Sequence, residues 1–241
     1  MTTRSLVAIH QPNFFPWLGF FDKIALADTF IFLDDVFYSA SGGMYPRRTQ
    51  ILLNNQKQWI AAPLLFPKDA NQRNIAELQI RDFKSFKRDF KEKVKNYSEH
   101  PYFSEVIEFL HFLLEEEFTH LSDFNMNAIK SLTQEMDLPE PKFWKSSDLD
   151  VDTSGTKRLA DLCQAVGGNC YLSGRGSSGY LQQDVFAESK IEIVFQPKSN
   201  YDYVQRQEKD FIPGLSIIDA LMNVGFRNLR NIFNGKINLD A

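Results

Sequence analysis

The stretch of residues 6–38, LVAIHQPNFFPWLGFFDKIALADTFIFLDDVFY, constrains the fold of this chain more than any other part of it. Its first residues, 6–9, are apolar and run into the polar sequence HQPN, in which the proline cannot continue a hydrogen-bonded strand. The next proline suits the first turn of a helix, and the apolar residues from Trp17 to Ala25 recur at helical spacing. Residues 29–33 are apolar on both alternating faces, which is typical of a parallel strand covered on both sides. The stretch therefore predicts a βαβ unit.

Polar side chains follow both strands of this predicted unit. His10 comes directly after the first strand, and Asp34 and Asp35 come directly after the second. With a right-handed crossover between neighbouring strands, these side chains emerge at the same edge of the sheet, and adjacent strands are only about 4.8 Å apart. Open α/β sheets place their ligands at that edge. Adjacent strand residues point to opposite faces, so the pattern leaves open which aspartate faces the ligand.

Composition excludes several classes of protein. The chain has 241 residues, of which 43% are hydrophobic and 14% aromatic, enough to bury the core of one large or two small domains. A net charge of −4 without a basic stripe argues against nucleic-acid binding. No apolar run reaches the roughly 18 residues of a membrane span, and no signal peptide precedes the first strand, so we expect a cytoplasmic protein. The two cysteines, Cys163 and Cys170, are predicted to be buried thiols.

A loop and a hairpin are predicted after the βαβ unit. Residues 39–48 form a loop that could lie across the opening of the site and that ends in two arginines, Arg47 and Arg48. Adjacent extended residues point opposite ways, so at most one arginine is expected to face a ligand. The runs 49–53 and 58–62 flank two asparagines that tolerate left-handed turn positions, which predicts a hairpin.

The central part of the chain changes to helical periodicity. After a short predicted strand at residues 75–80, residues 82–137 show apolar side chains at a period of 3.6 and predict three helices. The first of these carries many lysines, which we interpret as a solvated face. We therefore predict an α/β fold with a Rossmann-like parallel sheet built from N- and C-terminal βαβ units. Residues 1–81 and 138–241 form the two α/β parts, residues 82–137 form a helical insert, and together they make one compact domain.

A second informative stretch is SGRGSSGY at residues 173–180, between a predicted strand at 170–172 and a predicted helix at 181–188. Glycines and serines allow backbone N–H groups to approach an anion at such a junction. The spacing matches neither of the common phosphate-loop patterns, so a surface loop remains an equal alternative. The candidate ligand-binding residues here are Ser173, Arg175 and Ser177.

The C-terminal residues predict a compact helix at 216–225. Ser216 is expected to cap it, Asp219 to complete the cap, and Gly225 to end it. The tail, residues 226–241, is expected to wrap the surface.

Four sequence segments together resemble the WbqC-like protein family of bacteria: HQPNFFPWLGFFDKI, FLDD, YLSG and FIPGLSIIDALMNVG. The resemblance covers nearly the whole chain. It implies a role in the synthesis of surface polysaccharide (O-antigen), for which transfer of an amino acid such as glycine onto a sugar is one proposal. The chain departs from the family pattern in the SGG sequence at residues 41–43 and in lacking a glycine before Ile191.

The layout of the first unit is also similar to that of HIGH-type nucleotidyltransferases and adenylate-forming ligases. In those proteins loop histidines stabilise phosphates, and a late Ser/Gly/basic loop assists; Arg175, within residues 174–179, could serve in that loop. The second histidine is missing here, and Phe20 or Phe21 stands in its place.

These patterns lead to the hypothesis of a transferase acting on a nucleotide-linked sugar or an activated amino acid or acyl group. His10 would act as general base or phosphate-stabilising donor, and Asp34 or Asp35 would hold it, accept a proton or bind Mg²⁺. No cofactor is identified, and Mg²⁺ is a candidate only through these carboxylates. The predicted substrate-binding residues are Gln11, Asn13, Trp17, Arg47, Arg48, Ser173, Arg175 and Ser177. The competing hypothesis is a non-catalytic binding module in a glycan synthesis complex.

Overall fold

A computed structural model describes residues 3–39, 44–174, 176, 181–198, 201–206 and 210–234. Its elements are, in chain order, β1 (Leu6–His10), α1 (Leu18–Leu26), β2 (Thr29–Phe32), β3 (Arg48–Leu53), β4 (Gln56–Ala61), α2 (Phe83–Val94), α3 (Phe103–Leu113), α4 (Leu121–Glu135), β5 (Lys142–Lys145), α5 (Gly155–Ala165), β6 (Cys170–Ser173), α6 (Gln183–Glu188), β7 (Glu192–Phe195) and α7 (Ile217–Asn234).

A parallel sheet of five strands organises the described part of the chain, in the order β5-β2-β1-β6-β7. Val7 on β1 lies opposite Thr29 on β2 and opposite Tyr171 on β6. Counted along the chain, the order is third, second, first, fourth and fifth strand, so the direction of winding reverses between β1 and β6. This is the strand order of a Rossmann-like fold, and the predicted fold class is confirmed.

Both faces of the sheet are covered, which explains why its strands are apolar on both sides. On one face, Leu6 and Ala8 of β1 belong to the same hydrophobic cluster as Phe20 and Ile24 of α1. On the other face, Val7 and Ile9 cluster with residues of α5 and α6. Because side chains alternate along a strand, His10 shares the face of Leu6 and Ala8 and therefore lies beneath α1.

Aromatic packing joins the loop after β1 to the helical insert. Phe15 in this loop stacks on Phe90 of α2 with ring centroids 5.2 Å apart, and Phe14 lies 6.0 Å from Phe124 of α4. The antiparallel hairpin of β3 and β4 packs into the same cluster. These phenylalanine contacts anchor the chain after the HQPN sequence on the helical insert.

The predicted strand at residues 75–80 is wrong. Residues Ile75–Glu77 form a 3₁₀ turn with a capping box, in which the Glu77 carboxylate accepts a 2.7 Å hydrogen bond from the backbone N–H of Asn74. A local side-chain partner for the backbone competes here with strand pairing.

The C-terminal helix departs from the prediction in two ways. Gly225, with φ 74°, interrupts α7, but residues 226–234 continue as helix with Phe226, Leu229 and Phe233 buried, so this segment does not wrap the surface. Ser216 does accept a hydrogen bond from the Ile218 N–H, as a cap would. Asp219 instead accepts hydrogen bonds from the hydroxyls of two tyrosines on other segments, Tyr97 at 2.7 Å and Tyr203 at 2.6 Å.

The cysteines are free and buried, as predicted.

None of the helices in the described residues has the length and apolar character needed to cross a membrane.

Candidate functional site

His10 ends β1 at the point where the winding of the sheet reverses. Its ring is half-buried and packs edge-on against Phe20 and Trp17, with centroids 4.8 Å and 5.8 Å away. Nδ1 lies 3.1 Å from the carbonyl oxygen of Gln11, and because a carbonyl only accepts, Nδ1–H is the donor in the neutral ring. Nε2 is then the nitrogen left to accept a proton or a hydrogen bond.

The electrostatic setting of His10 keeps it uncharged. Burial, followed by the positive charge of Lys23, lowers the pKa of His10 from 6.5 to about 3, and the hydrogen bond to Gln11 only partly offsets this. At neutral pH the imidazole is therefore neutral and a weak base. This environment favours hydrogen bonding by His10 over the general-base role that the sequence also suggested.

Lys23 on α1 is a residue that the sequence interpretation missed. Its side chain is 5% exposed, and its Nζ lies 3.4 Å from the carbonyl oxygen of Ile9, beside the end of β1. Burial lowers the pKa of Lys23 from 10.5 to about 8. Its burial could have been predicted from the sequence, because Lys23 lies three residues after Phe20 and one before Ile24, within the apolar face of the helix.

The HQPN loop is fixed from α4. The side-chain amide of Asn125, which is fully buried, donates to the carbonyl oxygens of Pro12 at 2.8 Å and Pro46 at 2.7 Å. The backbone N–H of Phe14 also donates to the carbonyl oxygen of Tyr45 at 2.9 Å. Asn125 had no distinguishing sequence pattern, since one asparagine in a helix is uninformative without its partners.

The backbone is strained immediately after this loop. Phe15 has a φ of 40°, uncommon for a residue with a side chain. Its carbonyl oxygen accepts hydrogen bonds from the hydroxyls of Thr49 at 3.0 Å and Ser216 at 2.9 Å, donors that come from β3 and from the start of α7. Strain of this kind persists only where surrounding contacts enforce it, and it occurs often at functional sites.

Two adjoining cavities lie beside the loop. A cleft of about 410 Å³ is lined by the first turn of α1 and by the aromatic side chains Trp17, Tyr201, Tyr203 and Phe211. A smaller cavity of about 40 Å³ shares Trp17 with the cleft and reaches Asn13. Asn13 is 2% exposed, and within the described ranges its Oδ1 has no hydrogen-bond donor. A bound ligand could supply that donor.

Arg47, in the turn before β3, and Arg48, the first residue of β3, have different surroundings. Arg48 also lines the small cavity, and its guanidinium lies 3.9 Å from the ring centroid of Trp59. Arg47 donates from Nε to the carbonyl oxygen of Ala62 at 2.9 Å and borders a separate cavity on the side of α2. Of the two, Arg48 is the one next to Asn13 and Trp17.

Asp34 is held by groups that the sequence did not single out. Its side chain is 1% exposed, and its carboxylate accepts from the Ser146 hydroxyl at 3.1 Å and from Ser147 through both N–H, at 3.0 Å, and hydroxyl, at 2.8 Å. His10 lies opposite Phe32, the last residue of β2, so Asp34 comes two residues after the end of that strand. These bonds join the end of β2 to the turn after β5.

The carboxylate of Asp35 is also bonded to neighbouring side chains. It accepts a 2.6 Å hydrogen bond from Ser146 and forms an ion pair with Arg158 of α5. A magnesium ion at either carboxylate would displace these donors. Across the described ranges, no group of three His, Cys, Asp or Glu side chains is arranged to hold a metal ion.

The carboxyl ends of β6 and β7 are tied to α1. Ser173 is buried, and its carbonyl oxygen accepts from the Gln196 N–H at 2.8 Å. The Gln196 side-chain amide donates to the Gly19 carbonyl and to Asp22 Oδ2, both at 2.8 Å. Arg175 and Ser177 lie outside the described residues.

The fold and this edge define a Rossmann-like α/β protein with a candidate ligand site where the winding reverses. The model of the WbqC-like protein family matches residues 11–231, and the chain belongs to that family. A relative is the protein of Mycobacterium tuberculosis called "Uncharacterized protein Rv1507c", which is 31% identical over 220 residues, 91% of this chain and 94% of the relative. No solved structure matches the chain.

Proposed function

We propose that this protein is a transferase of bacterial surface polysaccharide (O-antigen) biosynthesis that moves an amino acid such as glycine, or an acyl group, onto a free or nucleotide-linked sugar. The observation that carries the proposal is the HQPN loop, fixed at the reversal point of the sheet beside an aromatic-lined cleft. The cleft volume of about 410 Å³ falls within the range of small-molecule sites. Membership of the WbqC-like family supports the biological setting.

The chemistry would need few charged groups. An amine or hydroxyl of the acceptor sugar would attack the carbonyl carbon of the activated donor, form an amide or ester bond, and expel the donor's leaving group with loss of one proton. Neutral His10 would accept a hydrogen bond at Nε2 from a substrate hydroxyl or amine, and the unpartnered oxygen of Asn13 would accept another. Trp17 would form an apolar wall for a sugar or base.

The acidic residues have a supporting role in this proposal. Asp34 and Asp35 hold the ends of β2 and β5 together through Ser146, Ser147 and Arg158. Their removal would displace the edge of the sheet rather than a reacting group.

A nucleotidyltransferase or adenylate-forming ligase is a second candidate. In its favour, a histidine ends β1 and the first turn of α1 lines the cleft, where a helix N-terminus can receive a phosphate. Against it, Phe20 packs on His10 where the second loop histidine would stand. A binding module that uses the same cleft without chemistry is the third.

The test is product formation by the full-length protein. Nucleotide sugars would be incubated with glycine, ATP and Mg²⁺, or with glycyl- and acyl-CoA, and products would be followed by mass spectrometry. We expect a sugar product that has gained one glycyl or acyl group, lost in Asn13→Ala and His10→Gln but kept in Asn228→Ala, an exposed amide on α7. Release of AMP or pyrophosphate without a modified sugar would favour the nucleotidyl alternative, and binding without any product would favour the module.

A further inference from the structure

Lys23 is a buried cation without an anionic partner in the part of the chain that the structure describes. No carboxylate lies within 4.0 Å of its Nζ there, in contrast to lysines such as Lys145 and Lys157, which pair with aspartates. Its contact with the Ile9 carbonyl oxygen, at 3.4 Å, is longer than a good hydrogen bond. The aliphatic stem packs within a helix face whose other members, Phe20 and Ile24, are fully buried.

An unpaired buried ammonium is costly. Lysine is almost never fully buried unless it is paired, because removing its charge from water costs several kcal/mol. An apolar side chain of similar length would fill the same space beside Phe20 and Ile24 without that cost. The lysine is therefore explained best by a negative charge that arrives with a ligand.

The position of Lys23 indicates which ligand group this is. The ammonium lies beside the end of β1 and is close enough to His10 to disfavour its protonation. In doubly wound α/β folds, the turn between the first strand and first helix is where phosphates are received. The end of β6, with the carbonyl of Ser173, faces the same reversal point.

Among the described residues, two charged or titratable groups are recorded next to Lys23. On β1 this is His10, whose pKa the charge of Lys23 lowers. On α1 itself the adjacent Asp22 has Oδ2 bonded to Gln196. Burial is the cause that lowers the pKa of Lys23 to about 8, with no opposing ion pair.

We propose that Lys23 forms a subsite for the phosphoryl group of a phosphorylated substrate. The proposal rests on the transferase site described above and specifies its substrate as one that carries a phosphate. The Nζ of Lys23 would donate to a phosphoryl oxygen, and the bound anion would supply the missing counter-charge.

Binding and protonation are then linked. An anion favours the charged form of lysine, so its arrival raises the pKa of Lys23, and the protein takes up a fraction of a proton when the pH is near its unliganded pKa of about 8. His10, whose pKa is about 3, stays neutral at this pH and does not add to the uptake. Affinity for phosphate should accordingly fall as the pH rises through about 8.

The test is isothermal titration calorimetry of the full chain with inorganic phosphate and with UDP. Measurements at the pKa of Lys23, about 8, in two buffers of different ionisation enthalpy give the number of protons taken up. We expect binding with uptake of up to about half a proton by the wild type, since Lys23 is half protonated at this pH before binding. Lys23→Met should bind at least about tenfold more weakly, a change of 1.4 kcal/mol.

Two variants separate charge from structure. Lys23→Arg keeps a permanent charge and should retain binding while its proton uptake falls, because arginine does not titrate in this range. Lys84→Met, on the exposed face of α2, should behave as the wild type. Circular dichroism would confirm that each variant is folded.

Specific outcomes overturn the subsite. Equal phosphate affinity of wild type and folded Lys23→Met would do so, as would binding of acetate or glycine in place of phosphate and UDP. The transferase proposal fails separately: phosphate binding that depends on Lys23 in a protein without transfer products would keep the subsite and remove the reaction.

Discussion

The side-chain amide of Asn125 donates a 2.8 Å hydrogen bond to the carbonyl oxygen of Pro12, which lies 113 residues earlier in the chain. A second bond from the same amide reaches Pro46 at 2.7 Å. One residue of the helical insert thus holds two loops together at the edge of the sheet. The geometry at His10, two residues before Pro12, depends on this insert.

Replacing Asn125 by leucine should lower the free energy of unfolding by about 2–4 kcal/mol, because two buried carbonyl groups lose their donor. Urea unfolding measures this loss. The control is Asn228→Ala, whose exposed amide bonds to the Tyr102 hydroxyl at 2.7 Å and which should change stability by less than about 0.5 kcal/mol. Equal losses in the two variants would contradict a special role for Asn125.

Replacing Lys23 by methionine should stabilise the fold at neutral pH. The pKa of Lys23 is lowered from 10.5 to about 8 in the folded protein. The charged lysine therefore destabilises the folded state by about 3 kcal/mol. The folded state binds this proton more weakly than the unfolded state does. The free energy of unfolding is therefore highest above the unfolded-state pKa of 10.5 and falls as the pH is lowered to the folded-state pKa of about 8. The increase in the free energy of unfolding in Lys23→Met should therefore be complete below about pH 8 and should shrink as the pH rises towards 10.5.

Urea unfolding of this variant at neutral and at alkaline pH gives the comparison, with Lys84→Met as the exposed control. A destabilised Lys23→Met at neutral pH would show that the charge has a partner in the free protein.

His10 should stay neutral throughout the physiological range. Because its pKa is lowered from 6.5 to about 3, its ring carbon and nitrogen resonances should be constant between about pH 5 and 8. An NMR titration, with the His10 signals assigned from His10→Gln, checks this. The folded state also binds the His10 proton more weakly than the unfolded state does. The contribution of neutral His10 to the free energy of unfolding is therefore complete above pH 6.5 and is lost as the pH falls towards 3. A midpoint near 6.5 would show that the ring is solvated.

Gly225→Ala should destabilise more than Gly167→Ala. Both glycines have positive φ, 74° and 73°, but a Cβ at Gly225 would lie 2.4 Å from the ring of Tyr102, whereas Gly167 faces open space. A positive φ costs about 1–3 kcal/mol in a residue with a side chain, and the ψ of 167° at Gly225 lies in a region almost confined to glycine. The clash should add about 1–3 kcal/mol at Gly225. Thermal unfolding measures both variants. In a Tyr102→Ala background, the cost of Gly225→Ala should fall by the amount of the clash; an unchanged cost would show that the steric explanation is wrong.

Several elements followed from local patterns. The βαβ unit of residues 6–32 and the hairpin around Asn54 and Asn55, both with positive φ, arise from apolar periodicity and turn residues that lie close together in the sequence. Those patterns also predicted that the first strand ends at the HQPN sequence, and β1 ends at His10. The strand predicted at residues 75–80 was wrong, because the backbone of Asn74 bonds to the Glu77 side chain in a 3₁₀ turn.

By itself the sequence determined the order and type of most elements and the position of the HQPN loop at the end of β1, because hydrophobic periodicity and strand ends are properties of neighbouring residues. Only the tertiary structure decided which distant side chains bond to one another. Asp34 bonds to Ser146 across 112 residues, Asn125 to Pro12 across 113, and Asp219 to Tyr97 across 122. The tertiary structure also decided that Lys23 is buried and that, among the described residues, it has no carboxylate partner, since burial depends on every segment packed around a group and leaves no pattern in the residues beside it.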